Sequence, residues 1–144
     1  MLSLTCKTAI KAVIYLASKS ESGEKSGIKE ISQYIDASEH TVGKLLQTLV
    51  KNGVINSVKG PSGGFYISKS QLGQPLIHVV KSIDGKQAFK ECGLGLSNCS
   101  ALHPCPLHYE YKEARDVMER LFRENSVLDL CQPVITGLAY LKDG

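Results

Sequence analysis

Two apolar stripes of helical period, separated by one short polar interruption, constrain this chain more than any other feature. In IKEISQYI, residues 28–35, Ile28, Ile31 and Ile35 recur on one side of a short helix. Asp36-Ala37-Ser38 interrupts the run, and the Ser38 hydroxyl can accept an orphan amide of the next turn as an N-cap. From Glu39 to Asn52 the apolar residues Val42, Leu45, Leu46, Leu49 and Val50 form a second stripe, with His40, Lys44, Gln47 and Lys51 opposite, and Gly53 ends it. Two helices joined by a turn of about three or four residues, the second with a hydrogen-bonding outer face, make the helix-turn-helix pattern whose second helix enters a DNA major groove. A plain helical hairpin would read the same up to this point.

The next residues favour the DNA-binding alternative. Val54 to Lys59 and Phe65 to Ser68 read as short strands around Gly60-Pro61-Ser62-Gly63-Gly64, whose glycines permit positive φ and close backbone approach. A β-hairpin directly after the recognition helix is a wing, able to lay Lys59 and backbone N–H groups along a sugar-phosphate strand or into a minor groove. The competing reading, a nucleotide phosphate loop, lacks the required lysine and the strand-then-helix context.

The remaining elements are helical. A first helix is expected from about Thr5 to Ser18, with Ile10, Val13, Ile14 and Ala17 on one buried face, followed by a polar loop over 20–27. Pro75 is expected to open a helix bearing Leu76, Val79, Val80 and Ile83, with Gly85 as its stop. A long helix follows from about Pro106 to Asn125, where Leu107, Tyr111, Ala114, Met118 and Leu121 recur in an a/d rhythm. Its expected partner is a second copy of the chain, with intramolecular packing as the competitor. Ser126, with Asp129 three residues on, can cap a final short helix.

Between these helices lies CGLGLSNCSALHPCPLH, residues 92–108, which holds three of the five cysteines. Six residues separate Cys92 from Cys99, five separate Cys99 from Cys105, and two separate Cys105 from His108. Such a loop can fold three soft thiolates and an imidazole around a small inorganic centre. Cys₃His is also a structural zinc set, although the gaps lack the short clip usual in zinc modules, and a metal-free thiol–disulfide switch is a third reading. His103 is a back-up ligand, whereas Cys6 and Cys131 read as buried small hydrophobes and His78 as a surface residue.

Charge is placed unevenly. Residues 1–81 carry ten lysines against five carboxylates, net +5, while residues 82–144 carry seven basic and nine acidic groups, net −2. A basic front half suits phosphate contact. Apolar runs are only a few residues long, and Lys7 and Lys11 interrupt the amino-terminal pattern, so neither a membrane span nor a signal peptide is expected and the location is read as cytoplasmic. In a reducing compartment, clustered cysteines are metal, cluster or redox groups before they are permanent disulfides. No C-x-x-C pair and no convergent acid–base set is present, so enzyme chemistry is not expected and neither is a small-molecule substrate.

IKEISQYIDASEHTVGKLLQTLVKNGVINSVKGPSGGFYIS, together with three cysteines between that segment and a long helix, resembles the Rrf-type family of bacterial winged-helix transcription regulators, which spans IscR-, NsrR- and CymR-like members. The resemblance runs from about Leu2 to Leu130. It implies a mainly α fold with a small β-wing: a winged helix-turn-helix domain over 1–85, a Cys-rich sensor loop over 86–105, and a dimerisation helix with C-terminal tail over 106–144. It further implies a homodimer on palindromic double-stranded operator DNA, sensing iron-sulfur, nitric oxide or redox status.

Carried onto this sequence, the resemblance makes Ser38, His40, Thr41, Lys44, Gln47 and Lys51 the recognition-helix contacts, and Lys59, Gly60, Pro61, Ser62, Gly63 and Gly64 the wing contacts. Cys92, Cys99 and Cys105 take the family's cysteine places and His108 that of the histidine completing an IscR-like site. An iron-sulfur cluster is implied, 2Fe-2S before 4Fe-4S. The sequence departs from many relatives at Val42-Gly43-Lys44, where they have Leu-Glu-Gln, at Lys59, where they have Arg, and in the first cysteine gap, where they have five residues. A glycine within the recognition helix removes a side chain that could read a base.

Overall fold

The computed structural model describes residues 1–97 and 100–144, so Asn98 and the candidate ligand Cys99 lie outside the described residues. Among the described residues, seven helices and one hairpin follow in order: α1 (Leu4–Ser18), α2 (Ile28–Ile35), α3 (Glu39–Lys51), β1 (Asn56–Val58), β2 (Gly64–Tyr66), α4 (Lys69–Leu72), α5 (Ile77–Asp84), α6 (His108–Glu124) and α7 (Val127–Ile135), with a 3₁₀ turn at Ser20–Ser22.

Helix α1 is the centre of the fold. Its run AIKAVIYLA is apolar on most sides, and Cys6, Ala9, Ala12, Val13, Ile14, Tyr15, Leu16 and Ala17 are all buried. The single buried face expected from sequence is therefore an underestimate. A helix apolar nearly all round must be enclosed by others, and α2, α3, α5 and α7 surround this one. Ser3 caps it, accepting from the Cys6 amide at 3.0 Å, while its own amide donates to Asp84 at the end of α5 at 2.9 Å.

The helix-turn-helix is formed as its pattern predicts. Ile31 and Ile35 of α2 and Val42, Leu45, Leu46 and Leu49 of α3 are buried in one core with α1. Asp36 turns the chain with φ 54°, its amide closing on the Ser32 carbonyl, and the Ser38 hydroxyl accepts from the Thr41 amide at 3.2 Å. The wing pairs antiparallel, Asn56 with Tyr66, Ser57 with Phe65 and Val58 with Gly64. Both strands are shorter than expected because Val54 and Ile55 on one side and Ile67 on the other turn inward and join the core.

Two departures from the expected elements have simple causes. Helix α5 begins at Ile77 rather than Pro75, since residues 74–76 pair with the α6–α7 junction: Leu76 donates to the Asn125 carbonyl at 2.9 Å and Val127 to that of Gln74 at 3.0 Å. The four-residue α4 has no apolar stripe to announce it; Ser68 and Gln71 form a capping box there instead. Helix α7 continues through Pro133 to Ile135, and Val127 and Cys131 pack it against α1.

Within the long helix α6, Leu107, Tyr111, Ala114, Met118 and Leu121 do not share one environment. Met118 and Phe122 turn inward and pack on Cys6, Ile77, Val80, Ala88 and Phe89, with the Phe89 and Phe122 rings 5.7 Å apart. Val117 and Leu121 are 56% and 50% exposed on another side. The a/d positions fall on two neighbouring rows of the helix, and the core covers only the row that carries Met118.

Candidate nucleic-acid interface and cysteine site

On α3, burial of Val42, Leu45, Leu46 and Leu49 forces His40, Lys44, Gln47 and Lys51 to the opposite, exposed face. That face carries two ammonium groups, an imidazole and an amide, a set able to meet phosphates and base edges. Ser38 and Thr41 serve the cap: the two hydroxyls lie 2.9 Å apart, which fixes the first turn of the helix. Gly43 faces neither core nor open solvent, because a Cβ there would lie 3.4 Å from Ile28 Cδ1 on α2.

At the wing tip, Lys59, Gly60, Pro61 and Ser62 are exposed, and Gly63 closes the turn by donating to the Gly60 carbonyl at 2.9 Å. The other two glycines build the hairpin. A Cβ at Gly63 would overlap the Val58 carbonyl, and Gly64 has φ 145° with the Ser26 oxygen 3.0 Å from where its Cβ would be. Ser26 is the neighbour that sequence reading missed. It bridges β2 through Phe65 and brings Lys25 beside the wing, with Lys25 Nζ 5.8 Å from the Tyr66 ring centre. Nothing local in the polar stretch 20–27 marks this pairing.

The cysteine loop leaves α5, is pinned by the buried Ala88 and Phe89, and returns to α6. Cys105 and Cys92 are free thiols on the two arms of this loop, and Cys105 is one of the groups acting on the Cys92 thiol. The Cys92 sulfur also receives the Leu94 amide at 3.4 Å. The amides of Leu94 and Leu96 first, then the Cys105 thiol, hold the Cys92 thiol below the ordinary cysteine range. His108 is the first residue of α6, its amide donating to the Cys105 carbonyl at 3.0 Å, and its side chain is buried at 6% exposure, edge-on to the Tyr109 ring. An open cleft of about 600 Å³ borders Cys92 between Gln87, Lys90 and Leu96.

The structure thus brings Cys92, Cys105 and His108 to one end of α6, while His103 is exposed. Among the described residues no three His, Cys, Asp or Glu side chains form a metal-holding group, and Cys99 is not among them. The donor chemistry fits a thiolate-ligated centre: backbone N–H groups aimed at a cysteine sulfur are what such ligands receive. Cys6 does not fit. Burial first, then the nearby Asp84 carboxylate, pushes its thiol up to about 12, so it stays protonated, and burial likewise raises Cys131.

A basic recognition helix, a glycine-built wing and a distal helix carrying a cysteine loop define the class of winged-helix DNA-binding regulators. Within that class, the chain belongs to the Rrf2 family, described as iron-dependent transcriptional regulators, whose family model matches residues 2–133. It is 26% identical over 136 residues to the HTH-type transcriptional regulator NsrR of Geobacillus kaustophilus, covering 94% of this chain and 92% of that one. Its fold is similar to T. potens IscR, with TM-score 0.72 at 14% identity over 100% of this chain and 93% of that one. It is also similar to CymR, the global cysteine regulator of B. subtilis, with TM-score 0.71 at 18% identity over 91% and 95%. The protein is therefore a transcription regulator and not an enzyme. Among the described residues no helix is long and apolar enough to cross a membrane.

Proposed function

We propose that the protein binds palindromic operator DNA as a homodimer and that its Cys-rich loop holds an iron-sulfur cluster whose state alters operator affinity. The observation that carries this is Cys105 joined by its carbonyl to the buried His108 at the start of α6, with the Cys92 sulfur receiving a backbone amide in the same loop. Cys92, Cys105 and His108, with Cys99, would hold the cluster, and a mixed thiolate–imidazole set favours 2Fe-2S over 4Fe-4S. When bound, the cluster supplies a redox- and ligand-sensitive iron centre.

The chain's own residues supply the rest. Leu94 and Leu96 amides stabilise thiolate at Cys92, and His108 ties the loop to the first turn of α6. The outward row of Val117 and Leu121 offers apolar area for a second α6. His40, Lys44, Gln47 and Lys51 meet the major groove and Lys59 to Gly64 the flanking strand, the lysines supplying most of the salt-dependent affinity.

The test is anaerobic purification with iron and acid-labile sulfide assays on the wild type, Cys92→Ala and Cys99→Ala, followed by selection of operators from random duplexes. Brown wild type with equal iron and sulfide, bleached in both variants and selecting a palindrome, supports the proposal. Colourless protein containing zinc turns the loop into a structural site. Free thiols at Cys92 and Cys105, with Cys92 held below the ordinary cysteine range, favour one second reading, a disulfide switch. It predicts colourless protein that forms that bond on mild oxidation and changes operator affinity with it.

A further inference from the structure

We infer that Tyr111 and Arg115 are positioning residues that clasp the backbone on both sides of Cys92, a role that rests on the cluster reading above. Glu91 and Gly93 flank Cys92, and each is held by a side chain from α6. Arg115 Nη1 donates to the Glu91 carbonyl oxygen at 2.7 Å. The Tyr111 ring covers Gly93 so closely that a Cβ there would come within 2.8 Å of Cγ and Cδ2. The two side chains also meet, with the Arg115 guanidinium carbon 6.0 Å from the Tyr111 ring centre.

Spacing makes this a single device. His108, Tyr111 and Arg115 follow one another by three and four residues, so they occupy one face of α6. One helix face therefore carries a candidate ligand and both side chains that fix the backbone of another. The turn that follows, with Gly95 donating to the Cys92 carbonyl at 3.0 Å and Leu94 to the Cys92 sulfur, starts from that fixed point. The clasp sets the Cys92 and His108 edge of the site from α6 alone, and it transmits any movement of that edge back to α6. Removing groups that orient a metal ligand typically lowers affinity about 10- to 100-fold.

The test uses the full chain as wild type, Arg115→Met, Arg115→Lys, Tyr111→Ala and Tyr111→Phe. Amide hydrogen exchange of the metal-free, reduced proteins reads the clasp directly, and loss of a reconstituted cluster to a chelator, with its visible circular dichroism, reads the consequence. Arg115→Met and Tyr111→Ala are expected to speed exchange over residues 91–96 several-fold while leaving α3 and the wing unchanged. They should also lose the cluster about 10-fold faster with an altered spectrum. Arg115→Lys, which can still donate to the Glu91 carbonyl, and Tyr111→Phe, which keeps the ring over Gly93, should restore wild-type behaviour. Equal exchange and equal cluster loss in all five proteins overturns the inference, as does the same defect in the conservative pair. A wild type that takes up no iron and sulfide sinks the cluster reading and this role together, whereas a wild type that does, matched by Arg115→Met, sinks this role alone.

Discussion

Ser26 and Phe65 exchange both backbone hydrogen bonds, amide to carbonyl at 2.9 and 2.8 Å, and so add a third edge to a hairpin that otherwise has two strands. Residues 39 positions apart in sequence thereby fix how the wing leaves the core. Gly64 sits directly beside this pair. Its φ of 145° and its 3.0 Å approach to the Ser26 oxygen leave no place for a side chain. Gly64→Ala is expected to destabilise the protein by about 1–3 kcal/mol, measured by urea unfolding, with operator affinity falling as the wing shifts.

The opposite sign is expected at Gly43. Its φ is not in the left-handed region, and a methyl group would make an ordinary 3.4 Å contact with Ile28. Gly43→Ala should stabilise the protein by about 0.5–1 kcal/mol. A lower unfolding midpoint would mean that the α2–α3 packing has no room for it.

Ser38 holds the first turn of the recognition helix through the Thr41 amide. Ser38→Ala should cost about 1 kcal/mol and weaken operator binding beyond what a phosphate contact explains, because His40 and Lys44 project from that turn. Ser38→Asp, also a good cap, should restore the urea midpoint.

Exposed Lys59 at the wing tip is expected to contact phosphate without reading sequence. Lys59→Ala should weaken binding to operator and unrelated duplex alike and reduce the log–log salt slope by about 1. Fluorescence anisotropy across a salt series checks this, and an unchanged slope removes the wing contact.

The Tyr15 hydroxyl donates to Glu30 at 2.5 Å, tying the central helix to α2, and this bond holds the Glu30 carboxyl below the ordinary range. A carboxylate whose folded pKa is depressed contributes stability above its unfolded pKa of roughly 4.3 and loses it as pH falls through the folded value. Glu30 stands in solvent, so the contribution is about 1 kcal/mol or less. Tyr15→Phe should be less stable than wild type near neutral pH, and the difference should narrow as pH falls from 6 towards 3. Urea midpoints at each pH measure it.

Much of the fold was legible because it is written in local patterns. The α2–α3 stripes, the Ser38 cap and the glycines of the wing each act within a few residues, where propensity and periodicity suffice. Cys6 and Cys131 as buried hydrophobes and His108 on the first turn of α6 followed from the same logic. Positions decided by distant neighbours were not legible. Tyr111 and Met118 looked like seam residues for another chain, yet one covers Gly93 and the other packs on the cluster around Phe89.

By itself the sequence determined the order of elements, the basic outer face of α3, the glycine-dependent wing and a loop rich in soft ligands, because each follows from residue type and spacing. Only the tertiary structure decided that Ser26 and Lys25 join the wing, that α1 is enclosed on most sides, and that Tyr111 and Arg115 hold the chain around Cys92. These depend on which surfaces meet when the core closes, and burial energy shared among many residues carries no mark in any one stretch of the chain.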